Sequence, residues 1–408
     1  MHHIGLLIHG PEVTDEGEVR VTLEKLKAAG FETEAALGGI TGKTAVIDAG
    51  MKHVIDISKD RKPSQVVEDF VKRGLDFIIL LNHAKTEESG FILGEGILRN
   101  FIARSSVRQD FSFVQLEYSS KIIIRWRVVP EDEAIYKRVT DVFNEFEQKE
   151  PYKLESRCIK KENLVFREIK GVHPGEKIVV DGVVVGISSN ERKDGSVTLV
   201  AKDGKLVNIL GGTLIEHNLE KLPPLDLEKE MIKTGSVIRR TKPARISNEE
   251  VPKNRRKKKR ACLFCTVENL FPKIIGTDAD IEVAVTIGDD TTSIAGDILK
   301  RFGIRMIGIT DGDADGLING ISSGALEEYE KFLPGDSLII RLKPERDDVI
   351  GKRVRDEVFK GGEEIDLEGD IAMHVEDLRL RILNLAEPDI IGVLSSLPQN
   401  SEIKKRKT

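Results

Sequence analysis

Five aspartates in two short runs are the residues best suited to chemistry: Gly288-Asp289-Asp290-Thr291-Thr292 and Thr310-Asp311-Gly312-Asp313-Ala314-Asp315-Gly316. Each run follows an apolar stretch with strand character. If the two strands are parallel neighbours, Asp289, Asp290, Asp311, Asp313 and Asp315 share one sheet edge. Carboxylates that close repel one another unless a cation or several hydrogen-bond donors offset the charge. An all-oxygen ligand set suits a hard ion, Mg²⁺ above all. Beside the acids, Thr291 and Thr292 bring hydroxyls and N–H groups to a helix start, where a phosphate binds readily. The structural alternative is a solvated turn followed by an ordinary helix cap, which favours the same residue types.

Spacing discriminates among better-known acidic loops. An EF-hand needs Glu at the twelfth position from Asp311, but Ser322 stands there. A Toprim pattern wants Glu on the first strand, where this chain has Asp289 or Asp290, so the match is partial. Ile309-Thr-Asp-Gly-Asp-Ala-Asp-Gly also resembles the first motif of the DHH phosphoesterases. Its Asp-His-His partner is missing, because His374 is the only later histidine. The expectation is a site for a phosphorylated small molecule or nucleotide with Mg²⁺; any catalysis there would be phosphoryl transfer or phosphate-ester hydrolysis.

A second group lies near the N-terminus. Gly38-Gly39-Ile40-Thr41-Gly42-Lys43-Thr44 has P-loop residue types but not P-loop spacing, since Leu37 occupies the place of the first glycine. What remains is a glycine-rich strand-to-helix loop in which Gly39, Thr41, Gly42, Lys43 and Thr44 could hold an anion. Two other strand ends, His9-Gly10 and Asn82-His83, would face the same crevice. Imidazole titrates near neutrality, so either histidine could serve as acid, base or ligand; a packed, hydrogen-bonded histidine is the plainer alternative.

Seven of the eight residues from Lys253 to Arg260 are positive. Such a run could neutralise phosphates of a nucleic acid, with steep salt dependence. It has no interleaved aromatic residue for base stacking, and it could equally pair with the protein's own acids. Cys262-Leu-Phe-Cys265 follows it directly. A single Cys-x-x-Cys is half a zinc site, so closure would need histidines or a second chain in a homo-oligomer. Two buried thiols are the simpler reading.

These groups need elements to position them. The chain has 408 residues, enough for two or three domains at about 150 residues each. From Ile4 to Arg127 strand-like runs (4–9, 31–37, 53–57, 77–82, 113–116 and 121–126) alternate with helical patterns at 16–29, 63–73 and 88–103. That alternation predicts βαβ units with a mostly parallel sheet. A polar helix over 131–150 closes the unit. From about 170 to 245 the period becomes two, with Asp181-Gly182, Asp194-Gly195 and Asp203-Gly204 as hairpin turns. A small barrel or sandwich fits, an OB-like barrel being one option. Past the basic run, strands at 283–287, 305–310, 337–342 and 389–394 alternate with helices at 293–302, 317–331 and 347–359.

The fold expected is therefore α/β: two Rossmann-like parallel-sheet domains, at 1–150 and 271–408, flanking a small all-β domain at 151–247, with a basic linker carrying the Cys pair at 248–270. Net charge is −6, from 63 Lys+Arg against 69 Asp+Glu, so no global basicity draws the protein to nucleic acid. Three cysteines exclude a disulfide framework and suit a reducing cytoplasm. No apolar stretch is long enough to cross a membrane.

Taken together, Ile8-His-Gly-Pro-Glu, Leu37-Gly-Gly-Ile-Thr-Gly-Lys-Thr-Ala-Val-Ile-Asp-Ala-Gly, Gly288-Asp-Asp-Thr-Thr-Ser-Ile-Ala-Gly-Asp-Ile-Leu and Gly308-Ile-Thr-Asp-Gly-Asp-Ala-Asp-Gly span most of the chain. In these motifs it resembles an archaeal family found chiefly in methanogens, domain-of-unknown-function family 2117. The resemblance implies a cytoplasmic archaeal protein and brings no catalytic role to transfer.

Overall fold

The computed structural model describes residues 3–104, 110–152, 158–180, 183–189, 195–228, 230, 232–235, 258–267, 270–275, 279–311 and 333–395. The helix expected at 317–331, the strand expected past residue 235, Asp313, Asp315 and the basic residues 253–257 lie outside them. The chain divides into two compact units, Met1–Ile246 and Ser247–Thr408.

The first unit opens with β1 (His3–His9), α1 (Glu12–Asp15), α2 (Glu18–Ala28), β2 (Glu32–Gly38), α3 (Lys43–Asp48), β3 (Ile55–Asp56), α4 (Pro63–Lys72), β4 (Phe77–Asn82), α5 (Glu87–Arg104), β5 (Ser112–Glu117), β6 (Ile122–Arg127), α6 (Glu133–Val142) and β7 (Glu147–Lys149). Its sheet runs β3-β2-β1-β4-β5-β6-β7, with only the β5–β6 pair antiparallel. Continuous apolar runs suit strands covered on both faces. Ile4, Leu6 and Ile8 of β1 share a core with Val19 and Leu26 of α2 and with Val139 of α6, whereas Leu7 packs with Val67 and Phe70 of α4 and Phe101 of α5. The connection leaving β1 thus covers one face and the one leaving β4 covers the other. This reversal opens a notch between their carboxyl ends. The helix expected over 131–150 stops at Val142, because Phe143 and Phe146 turn inward and stack edge-on, Phe146 also against Tyr118. Residues 147–149 then extend the sheet as β7, parallel to β6.

The rest of this unit is all-β: β8 (Cys158–Lys161), β9 (Leu164–Lys170), β10 (Lys177–Val180), β11 (Val183–Ser188), β12 (Ser196–Lys202), β13 (Lys205–Leu210), β14 (Gly212–Leu214) and β15 (Ile232–Gly235). They form two antiparallel sheets, β14-β11-β10-β15 and β13-β12-β9-β8, around one apolar core that includes Ile178, Val185, Leu199 and Ile209. Asp203 and Gly204 both take positive φ, 50° and 76°, between the paired Lys202 and Lys205. That is the two-residue turn a right-twisted hairpin prefers. β11 and β12, which flank the turn expected at 194–195, belong to different sheets; Asp181, Gly182 and Asp194 lie outside the described residues.

The second unit comprises β16 (Lys258–Phe264), α7 (Leu270–Ile275), β17 (Ala279–Ile287), α8 (Asp289–Phe302), β18 (Arg305–Thr310), β19 (Leu338–Leu342), α9 (Asp347–Arg353) continued by a π-turn to Val358, β20 (Glu364–Leu367), α10 (Ile371–Ala386) and β21 (Ile390–Ser395). Its sheet runs β20-β16-β17-β18-β19-β21, parallel from β16 to β19 with antiparallel edges. Ile307 and Ile309 pack on the face covered by α9 and α10, through Ile350, Val354, Leu378 and Ile382. Gly308 points the other way, toward α8. A Cβ there would sit 2.5 Å from Thr292 Cγ2, so only glycine lets α8 approach β18 this closely.

Candidate functional site

The acidic rim of the second unit forms where β17, β18 and β19 end. Parallel pairing of β17 with β18 brings Asp289 and Asp311 to the same edge. Both are largely buried, at 8% and 3% exposure. Asp311 accepts a hydrogen bond from the Glu345 amide at 2.6 Å. The structure adds a carboxylate that sequence reading missed: Asp347, in the first turn of α9, close enough to feel the charge of Asp311 and with Oδ2 3.9 Å from where a Cβ on Gly288 would lie. Burial and then the Asp311 charge push Asp347 up to about 6. Asp347 follows an apolar strand and begins a helix. The rule that singled out Asp289 and Asp311, an acid at a strand's carboxyl end, would have found it.

The neighbouring threonines are more structural than their sequence implied. Thr292 is buried and shares a 2.9 Å hydrogen bond with Thr286 Oγ1, while the Thr291 hydroxyl donates to the Cys265 carbonyl at 3.3 Å. A phosphate here would meet the first amides of α8. No cluster of three or more His, Cys, Asp or Glu side chains fit to hold a metal occurs among the described residues.

In the first unit the glycine-rich loop is braced from within. Lys43 is completely buried and pairs with Asp60 at 2.5 Å. Thr44 is buried beside it, Thr41 is exposed, and Gly39 donates its amide to the Arg61 carbonyl at 2.8 Å. A Cβ on Gly42 would lie 2.8 Å from the Gly10 carbonyl oxygen, so glycine permits two strand-end loops to touch.

The notch between β1 and β4 holds a denser network. His9 Nδ1 lies 3.1 Å from Asn82 Oδ1, and Asn82 Nδ2 donates to Glu117 Oε2 at 2.7 Å. Glu117, fully buried at the end of β5, also accepts from the Ala84 amide, Gln115 Nε2 and Ser119 Oγ. Burial raises its carboxyl above the ordinary value against these donors. Next to Asn82, His83 Nδ1 lies 2.9 Å from both oxygens of Glu18, whose carboxyl burial also raises. Burial holds the His9 imidazole below its ordinary value, and the charge of Lys233 in β15 adds to this. Lys85 binds both oxygens of Glu176 at 2.8 and 2.7 Å and the Thr234 carbonyl at 3.1 Å, clasping the β-sandwich to the rim. Gly10 completes the end of β1 at φ 79°.

The described part of the basic run is strand, not linker. Lys258 pairs with Asp366, Lys259 with Asp280 and Glu282, and Arg260 with Glu364 and Asp366. Cys262 is buried in β16 and its thiol is pushed up to about 12, chiefly by burial. Cys265 is exposed just past the strand. No helix among the described residues is long and apolar enough to cross a membrane.

Residues 6–362 match a family described as uncharacterized proteins conserved in archaea, DUF2117. The chain is 35% identical over 359 residues to the uncharacterized protein MJ0065 of Methanocaldococcus jannaschii, covering 86% of this chain and 89% of that protein. No solved structure matches it. With the match running from the first strand through the acidic rim to the π-turn, the chain belongs to the archaeal DUF2117 family.

Proposed function

We propose that the protein binds a phosphorylated small molecule or nucleotide through Mg²⁺ held by Asp311 and Asp347. The supporting observation is that buried Asp289 and Asp311 end parallel neighbours at one rim, where the Asp347 carboxyl also arrives, 3.9 Å from where a Cβ on Gly288 would lie. Two carboxylates so close hold a proton because both cannot be charged cheaply; a divalent ion substitutes for that proton at neutral pH. Mg²⁺ typically takes only one or two protein carboxylates and fills its octahedron with water and phosphate oxygens, so a larger protein cage is not required. Asp289 would bind through the metal's water shell, and the phosphate would face the first amides of α8. If the site is catalytic, it transfers or hydrolyses a phosphoryl group, the metal polarising the phosphate and activating water.

The experiment is isothermal titration of the full chain with inorganic pyrophosphate and with nucleoside triphosphates, with and without Mg²⁺. Magnesium-dependent binding that disappears in Asp311→Asn and Asp347→Asn supports the reading. Absence of binding in every condition removes it.

A further inference from the structure

The notch of the first unit contains two imidazoles whose orientation is dictated by buried neighbours. The chain of constraints begins at Trp126, whose Nε1 is a donor only and binds Gln115 Oε1 at 2.8 Å. Gln115 must then turn its amide nitrogen toward Glu117, and does so at 3.0 Å. Glu117 is met by four donors and no acceptor, the arrangement of an ionised carboxylate. Asn82 therefore turns its nitrogen to Glu117 and its oxygen to His9. An oxygen facing Nδ1 requires that Nδ1 carry the proton, so the lone pair of neutral His9 is on Nε2. His83 obeys the same logic, its Nδ1 donating to the Glu18 carboxylate. Tyr118 is hydrogen-bonded to Thr22, Lys43 to Asp60 and Lys85 to Glu176. Among the described residues, neither Nε2 atom has a hydrogen-bond partner.

We infer that the notch between β1 and β4 is an acid–base site for a small hydroxylated molecule, with His9 Nε2 as the base and His83, oriented by Glu18, as the second proton carrier. In the step, a ligand hydroxyl proton passes to His9 Nε2, its electron pair stays on the ligand oxygen, and the Nδ1 proton stays on the imidazole, donated to Asn82 Oδ1. Glu117 and Asn82 are positioning residues that select the tautomer. The site lies in a different unit from the acidic rim and stands or falls independently of it.

The test is histidine-selective ¹⁵N NMR of the full chain at neutral pH, combined with diethylpyrocarbonate acylation followed by mass spectrometry. His9 is expected as a single neutral tautomer protonated at Nδ1, and it is acylated in the folded protein. In Glu117→Gln, or in Asn82→Ala if the first variant does not fold, both tautomers appear. His9 acylation then slows about twofold, as two tautomers of similar population require. An Nε2–H tautomer of His9 in the native chain, or a His9 inert to the reagent while folded, overturns the inference.

Discussion

Lys43 Nζ and Asp60 Oδ1 form an ion pair of 2.5 Å in which no part of the lysine side chain reaches solvent. Removing one partner of a fully buried pair costs about 3–5 kcal/mol, and less here because Asp60 is 20% exposed. Lys43→Met is therefore expected to lower the urea midpoint of the first unit markedly. Asp60→Asn should lower it comparably, and the double variant should recover part of the loss. Anion binding by the Gly39–Thr44 loop predicts instead that Lys43→Met leaves the midpoint nearly unchanged while abolishing phosphate protection.

Stability of the second unit should depend on pH through Asp347. Its pKa rises from an ordinary 3.8 to about 6 on folding, so the native state binds the proton more tightly than the unfolded chain. The resulting stabilisation is complete below pH 3.8 and is lost as pH rises through about 6. After allowance for solvent screening it amounts to about 1–2 kcal/mol. Denaturation at a series of pH values should show the decline, and Asp347→Asn should flatten it. With Mg²⁺ at the rim the profile inverts, because the ion competes with the proton and binds better above pH 6.

His9 has the opposite sign. Its folded pKa lies below the ordinary 6.5, so its contribution is full above that value and is lost as pH falls through the lower folded one. His9→Gln should make the first unit less sensitive to acid, as read from melting temperatures at pH 7.5 and pH 5.

Lys258, Lys259 and Arg260 each face carboxylates of adjoining strands, so neutralising them should act on the sheet rather than on nucleic-acid affinity. Salt-dependent RNA binding that survives their replacement but disappears on neutralising residues 253–257 would locate any nucleic-acid contact in the earlier half of the run.

The two thiols, one within that strand and one just past it, should separate cleanly under iodoacetamide. Cys265 is exposed, whereas Cys262 is buried with its thiolate form suppressed. Peptide mass spectrometry of the folded chain should show alkylation of Cys265 well before Cys262. Equal rates would mean that β16 opens readily.

Where apolar period alone decides structure, the sequence was a good guide. Residues 77–82 and 305–310 are strands with the bounds their hydrophobic runs predicted, and both parallel sheets follow from the strand–helix alternation. It misled where partners are distant in sequence. Lys258 and Arg260 look like linker because the acids that neutralise them are more than a hundred positions away, at 364 and 366, and those that meet Lys259, at 280 and 282, lie on the next strand. The pairing of Lys43 with Asp60 leaves no local sign in the sequence, because Asp60 lies 17 positions on. Glu117 was missed because a single acid closing an apolar strand reads as the start of a turn until the neighbouring strand ends are aligned beside it.

The clasp between Lys85 and Glu176 joins residues 91 positions apart. Lys85 stands three residues past Asn82, so anything that loosens the sandwich acts through this ion pair on the rim that orients His9.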